Sequence, residues 1–421
     1  VFTSKYPARV ATFFERDMRA LLQAGVEIEV LPIYPLDSTL WRYSLELLSE
    51  AQLPRHRVHH LGLLDSVQRA LPTVRGHAAA CSRDAVSVLA SAARYGPIPL
   101  AKTAYVLPKA WAWHAELAGR FDHVLAYWGN YAGTCAFAFH RLLGRRIPLS
   151  IWLHAGTDLY RDQVFLRQKL AYADNVITCC EFNRAYLLDR FPRLRPELDR
   201  RIHVSHHGLD MSTFPYRPEG RPPNHVIAVG RLAAHKGFDY LLHAVGLLYS
   251  RGVDVTVELV GDGPQRGELR QLASDLGIAE RVRFRGWLPF PDTRQAMSEA
   301  TLLVHPSDGL GDGLPNVVRE AMALGTPVIA SRVAGIPDAL RDGCGVLVPP
   351  RNVVALADAI TQLVRDPAAR LGMAARARAR AERHYDLWQN GKRLAAILRG
   401  TCRRDAGSDG RNAQTPPPGG A

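Results

Sequence analysis

Phe14, Met18, Leu21 and Leu22 recur at helical spacing and share one face, so the chain from Thr12 onward reads as an amphipathic helix. Thr12 with Glu15 three positions later forms a capping box, and Gly25 supplies the stop. Val26–Ile33 then reads as a strand. Only Val1-Phe2-Thr3 precedes this unit, where an alternating β/α chain starts with a full strand, so the sequence predicts a missing start. Between residues 36 and 118 the pattern divides poorly, with helices over Trp41–Leu48, over Ser82–Tyr95 and near Thr103–Leu117. After that it sharpens. Strand His123–Trp128, helix Tyr131–Leu143 and strand Ile147–Leu153 lead to His154-Ala155-Gly156-Thr157-Asp158. Strand Val176–Cys180, helix Glu181–Leu188 and strand Arg201–Ser205 follow. These are short apolar runs without strict alternation, the pattern of parallel strands covered on both faces.

Phe214–Pro223 holds four Pro and one Gly and reads as a linker. Beyond it strands His225–Val229, Val255–Val260, Val282–Phe284, Leu302–His305, Val328–Ala330 and Gly345–Val348 alternate with helices. The helices are one ending near Leu248, then Arg266–Leu276, Asp292–Glu299, Asn316–Leu324, a short one at Pro337–Leu340, Val353–Arg365, Ala368–Arg383 and Tyr385–Leu398. The expected organisation is an α/β chain with two Rossmann-like domains, residues 1–210 and 211–384, facing a cleft. A final helix spans 385–399, and the Arg-, Gly- and Pro-rich tail 400–421 has too little apolar content to fold. In open α/β sheets ligands sit beyond the carboxyl ends of the strands, so loops at those ends are where chemistry is sought.

Composition narrows the class. Of 421 residues 47% are hydrophobic and 22% charged, which excludes a mainly disordered, collagen-like or coiled-coil chain. The 53 basic residues outnumber 40 acidic ones, and only six are Lys. That balance favours anionic partners, but the Arg residues form no stripe of the kind that grips nucleic acid. Six scattered Cys with no CxxC pair argue against a disulfide framework or a zinc ribbon. No run reaches the ~18 apolar residues of a membrane span, and a cytoplasmic protein is expected. Arg55, His56, Arg57, His59, His60, Arg69 and Arg75 lie near Leu61, Leu63 and Leu64, so contact with a membrane face is one reading. A solvated loop with core leucines is the other.

Three strand-end segments carry candidate chemistry. The first runs from His305 through Asp312 and the turn Gly313-Leu314-Pro315 into a helix at Asn316-Val317. Free N–H groups at that helix start offer an anion site. Glu320 beside it can accept two hydroxyls of a ribose, and Asp312 can meet a second hydroxylated ring. Alternatively Asp312 merely opens a turn, Asn316 caps, and Glu320 makes a surface ion pair. The second is Gly230-Arg231 with Lys236 five positions on, a plausible diphosphate clamp lacking both the GxGxxG and GxxxxGK[ST] patterns. Loop-rim charges are the bland alternative. The third is His154; with Asp158 it lacks a third ligand, so no metal is expected. Gly261-Asp262-Gly263-Pro264 and His206-His207-Gly208 mark further turns at the same edges.

Together these segments resemble the retaining, nucleotide-sugar-dependent glycosyltransferases of family 4 (group 1, GT-B type). Val229–Leu232, Lys236–Leu242, Leu259–Pro264, His305–Gly309 and Gly313–Ser331 carry the likeness, in order and at family spacing. Thr3-Ser4-Lys5-Tyr6-Pro7 with Ala11–Phe14 looks like the opening loop of the exopolysaccharide and colanic-acid branch. The resemblance implies that Arg231 and Lys236 hold the donor diphosphate, Glu320 its ribose, the backbone around Trp287 and Leu288 its base, and His154 the transferred sugar. Asp312 stands where the family's first paired Glu holds the donor sugar, one methylene shorter. Further implications are the Val204–Asp210 interdomain segment, a last helix near Trp388 crossing back to the first domain, and no metal or other cofactor. The implied partners are a UDP-, GDP- or other nucleotide-sugar donor and a glycan or lipid-linked acceptor of cell-surface polysaccharide assembly. A non-hydrolysing sugar epimerase or an inactive sugar-nucleotide-binding protein on the same fold are the rivals.

Overall fold

Two parallel sheets, each six strands wide, organise the described residues. The structure is a computed structural model that describes residues 1–7, 12–37, 55–161 and 163–400. The first sheet comprises β1 (Phe2–Thr3), β2 (Leu31–Pro32), β3 (Val124–Ala126), β4 (Leu149–Leu153), β5 (Asn175–Thr178) and β6 (Ile202–Val204), in the order β2-β1-β3-β4-β5-β6. The three-residue stub is a working strand, since Phe2 pairs with Leu31 on one side and Ala126 on the other. The second sheet comprises β7 (His225–Val229), β8 (Thr256–Val260), β9 (Val282–Gly286), β10 (Leu302–His305), β11 (Val328–Ser331) and β12 (Val346–Val348), in the order β12-β11-β10-β7-β8-β9. Every pairing is parallel. Strand order reverses at β1/β3 and at β7/β10, so each domain has a switch-point crevice at the carboxyl edge. The architecture is the expected one: two Rossmann-like domains facing a cleft.

Several elements differ from the sequence pattern. The predicted strand Val26–Ile33 shrinks to Leu31–Pro32, because Val30 spends its ladder bonds on Arg57 and His59 instead. The helix Leu63–Gly76 was not foreseen; Pro72 inside it and exposed leucines at its start hide the period. The helix expected near Thr103 begins at Pro97, with Pro97 and Pro99 in its first turn and a third Pro, Pro108, inside it. Short helices Leu166–Tyr172 and Arg195–Arg201 were also missed. The predicted helix Trp41–Leu48, the Thr12 side-chain cap and the chain beyond Gly400 lie outside the described residues.

The chain crosses between domains twice at one place. Leu209 N–H donates to Tyr385 O at 2.7 Å, and Leu387 N–H donates to Leu209 O at 3.0 Å. The two crossings are thus a parallel bridge, Leu209 beside Asp386. Gly208 permits this approach, since a Cβ there would lie 2.3 Å from Leu387 Cα. Asp386 caps the last helix, Leu387–Leu398, by accepting from Gln389 N–H at 2.8 Å. That helix lies along the helix Thr12–Gln23 of the first domain, its Leu394, Ala395 and Ile397 clustering with Phe14, Met18 and Leu21.

Candidate active site in the interdomain cleft

The loop after β7 and the loop after β10 flank the switch point of the second sheet. Gly230 N–H donates to Val260 O at 2.9 Å. Leu232 is buried and bonded through both backbone groups to the Gly261–Gln265 turn, which anchors the first loop. Gly237 ends it at φ +66, with an added Cβ placed 2.2 Å from Pro306 O, so only Gly lets the two loops touch. Arg231 is exposed on this loop and has no hydrogen bond or ion pair among the described residues. Lys236, by contrast, donates to Asp312 Oδ1.

Asp312 is fully engaged. Its Oδ2 accepts from His305 Nε2 at 2.9 Å and from Ser307 Oγ. Burial alone would raise this carboxyl, but the His305 hydrogen bond and the charges of His305 and Lys236 outweigh it and hold it far below the usual carboxylate range. Neither the hydroxyl-acceptor reading nor the turn-opening reading foresaw this: Asp312 is the hub joining the two loops. Gly313 turns the chain at φ +57, and its O accepts from Gly335 N–H at 2.8 Å. Leu314 is buried, Pro315 holds the N-cap position, and the helix Asn316–Leu324 starts with no side-chain cap. Asn316 does not cap; its Oδ1 accepts from Arg319. The first N–H groups of this helix, at Asn316 and Val317, therefore remain for an anion.

Glu320 is buried, not on the surface as the plain alternative had it. Its Oε1 accepts both Nη1 and Nη2 of Arg16, at 3.2 and 3.1 Å, from the first domain's helix Thr12–Gln23. Arg319 is buried beside it and reaches His207 O on the interdomain segment. After β9, Trp287 is 42% exposed, and Leu288 packs on the adjoining core.

Across the cleft His154 follows β4, and an added Cβ on Gly313 would lie 2.8 Å from Ala155 Cβ. His154 is buried among Phe13, Tyr127, Trp128 and Trp152, and stacks on His207 with centroids 5.0 Å apart and planes 3° from parallel. Its backbone N–H and its Nδ1 both face Asp158 Oδ2, at 2.9 and 3.4 Å. Asp158 also accepts from Asn130 N–H at 2.9 Å, so both of its oxygens are engaged in holding the ring and the neighbouring loop. His154 Nε2 is buried and has no partner among the described residues. A buried nitrogen left unsatisfied in a cleft is a place for a ligand hydroxyl. Among the described residues no group of three or more His, Cys, Asp and Glu could hold a metal ion.

Sequence reasoning missed Arg16, Asp17, His305, Ser307 and Arg319. Asp17 accepts from His207 Nδ1 at 2.6 Å and from the Tyr127 hydroxyl, tying the crossing to the first domain. Burial lowers the imidazoles of His206 and His207 from 6.5 to about 4; Asp17 opposes the shift for His207. Both stay neutral in the fold while the unfolded chain protonates near 6.5. Stability should thus be intact above pH 6.5, fall as pH drops to about 4, and lose nothing further from these groups below that. Thermal unfolding across pH 7.5–3.5 checks this, with His206→Gln expected to flatten the slope; equal slopes would contradict it.

Residues 223–366 match the family model described as glycosyl transferases group 1. The putative colanic acid biosynthesis glycosyltransferase WcaL of Escherichia coli K12 is 27% identical over 94% of this chain and 98% of its own. The alpha-D-kanosaminyltransferase of Streptomyces kanamyceticus is 35% identical, but over 41% of this chain and 45% of its own, so the match spans about half that relative's length. In fold, the chain is similar to Anabaena Alr3699/HepE in complex with UDP, with a TM-score of 0.66, 19% identity, and coverage of 94% of this chain and 98% of that one. The chain therefore has the GT-B fold, its second domain is similar to glycosyl transferases group 1, and nearly its whole length is similar to a colanic-acid type of glycosyltransferase.

Proposed function

We propose that the protein moves a sugar from a nucleoside-diphosphate sugar to a hydroxyl of a glycan or lipid-linked acceptor, with retention at the anomeric carbon and without a metal. The observation that carries this reading is the convergence at one switch point of Arg231, Lys236, an uncapped helix start and Glu320, opposite a His154 ring whose Nε2 is unsatisfied. The cations and the N–H groups would meet charge as it builds on the departing diphosphate, where fixed donors act most strongly. His154 Nε2 would bond a hydroxyl of the transferred sugar and position it. Glu320 would take the ribose, and the Trp287–Leu288 backbone would border the base.

Retention follows if the acceptor attacks on the face the diphosphate leaves. Both carboxylates of the Asp312/Glu320 pair are held by cations, so neither resembles the spaced acid and base of a glycosidase. Purified protein incubated with UDP- and GDP-sugars, with and without EDTA, tests the reading. Transfer with the donor's anomeric configuration kept and EDTA harmless is expected. Inverted product, or turnover lost to EDTA and restored by Mg²⁺ or Mn²⁺, would defeat it; epimer formation without an acceptor would favour the epimerase.

We place the acceptor at an anionic membrane face. No described helix is long and apolar enough to cross a membrane. Leu61 is core, as the bland reading held, but Leu63, Leu64, Val67 and Leu71 line the outside of the helix Leu63–Gly76, with Leu64 81% exposed. Residues 55–120 hold nine Lys and Arg against three Asp and Glu. Several of these cations are already paired, Arg57 with Glu27 and Arg69 with Glu116. Basic groups near anionic lipid contribute ~1 kcal/mol each. Co-sedimentation with anionic vesicles should fall several-fold in Leu64→Glu/Leu71→Glu and with rising salt. Equal recovery with neutral vesicles would remove this placement.

A further inference from the structure

We infer that Arg16 is a positioning residue for the nucleoside end of the donor site, so that this end is complete only when the first domain is closed on the second. The inference rests on the transferase reading above. Arg16 comes from the helix Thr12–Gln23 of the first domain, yet both of its partners belong to the second. Two guanidinium nitrogens grip Glu320 Oε1, and the guanidinium carbon lies 4.8 Å from the Phe290 ring centroid. Phe290 opens the helix that follows Trp287-Leu288-Pro289, the segment assigned to the base. One side chain thus links the carboxylate assigned to the ribose with the loop assigned to the base.

The geometry leaves a division of labour on Glu320. Oε1 is taken by Arg16, while Oε2 has no protein partner among the described residues. A carboxylate held through one oxygen keeps its charge and its rotamer, and the other oxygen stays able to accept a ribose hydroxyl. Arg16 and Glu320 side chains are 10% and 9% exposed, so the pair is shielded from the screening that weakens surface ion pairs. Without Arg16 the buried carboxylate would have no cation at that oxygen, and its orientation would no longer be fixed.

Titration calorimetry with UDP and with GDP tests this on wild type, Arg16→Gln and Arg16→Lys, and repeats the better nucleotide as its 2′,3′-dideoxy form. Arg16→Gln should weaken nucleotide binding about tenfold, the scale of one charge-assisted contact. Arg16→Lys should lose about threefold. Against the dideoxy nucleotide, which offers Glu320 no hydroxyl, all three proteins should agree within about twofold. An equal loss on the dideoxy form, or none on the ribonucleotide, would overturn the role of Arg16 and leave the transferase reading standing. Wild type that binds neither UDP nor GDP would overturn that reading, and this inference with it. If Arg16→Gln does not fold, Arg16→Lys against the same nucleotide pair decides by the same comparison.

Discussion

Arg231→Ala is expected to lower turnover about a hundredfold or more, the scale of losing one preorganised donor to developing charge. Its thermal unfolding should match wild type, because Arg231 is exposed and has no hydrogen bond or ion pair among the described residues. Lys236→Ala should reach a similar loss of turnover by a costlier route. Removing the cation leaves Asp312 buried with only His305 and Ser307 on Oδ2, and a buried pair that loses one partner costs ~3 kcal/mol. The two variants therefore separate in stability while agreeing in activity. Steady-state kinetics with a fixed donor, beside melting curves, measures both. A folded Arg231→Ala protein with near-wild-type turnover would remove the diphosphate clamp.

His154→Ala is the second large effect expected, again about a hundredfold in kcat with a smaller change in KM, since Nε2 is assigned to the reacting sugar. Asp158→Asn should cost less, about tenfold, because it leaves the ring in place and weakens only what orients it. Phe13, Trp128 and His207 still pack the imidazole on three sides. An Asp158→Asn loss equal to that of His154→Ala would mean that the carboxylate itself meets the substrate. Unchanged kcat in His154→Ala would take His154 out of the reaction.

Where a strand end, a Gly turn and a helix start sit within one short segment, the sequence could be read almost to the residue. β10, the helix Asn316–Leu324 and the helix Val353–Arg365 have the predicted bounds, because Pro306, Gly325 and the Asn352 cap with Pro367 mark their ends. The helix Leu63–Gly76 could not be read, since its apolar residues face outward and a Pro interrupts it. The candidate site shows the same contrast. Arg231, Lys236 and Glu320 lie in strand-end segments whose spacing is informative by itself. Arg16 is one charge on an amphipathic helix, and its partner is 304 positions away. Nothing local distinguishes it from a solvated Arg. Asp312 was visible as a candidate, but its three donors come from two separate loops, so its part as a hub appears only in three dimensions.

The bridge between Leu209 and Asp386 also dictates an order of events during synthesis. The first domain's helix Thr12–Gln23 leaves the ribosome early, but the surface it needs is supplied by Leu387–Leu398, at the far end of the chain. Chains fold from the N-terminus as they emerge, and contacts between distant segments must wait for the later one. The second domain, contiguous in sequence, can finish while it is still tethered. The first domain is begun first and completed last. A nascent chain halted before Leu387 would therefore expose Phe14, Met18 and Leu21 to chaperones, whatever the state of its second domain.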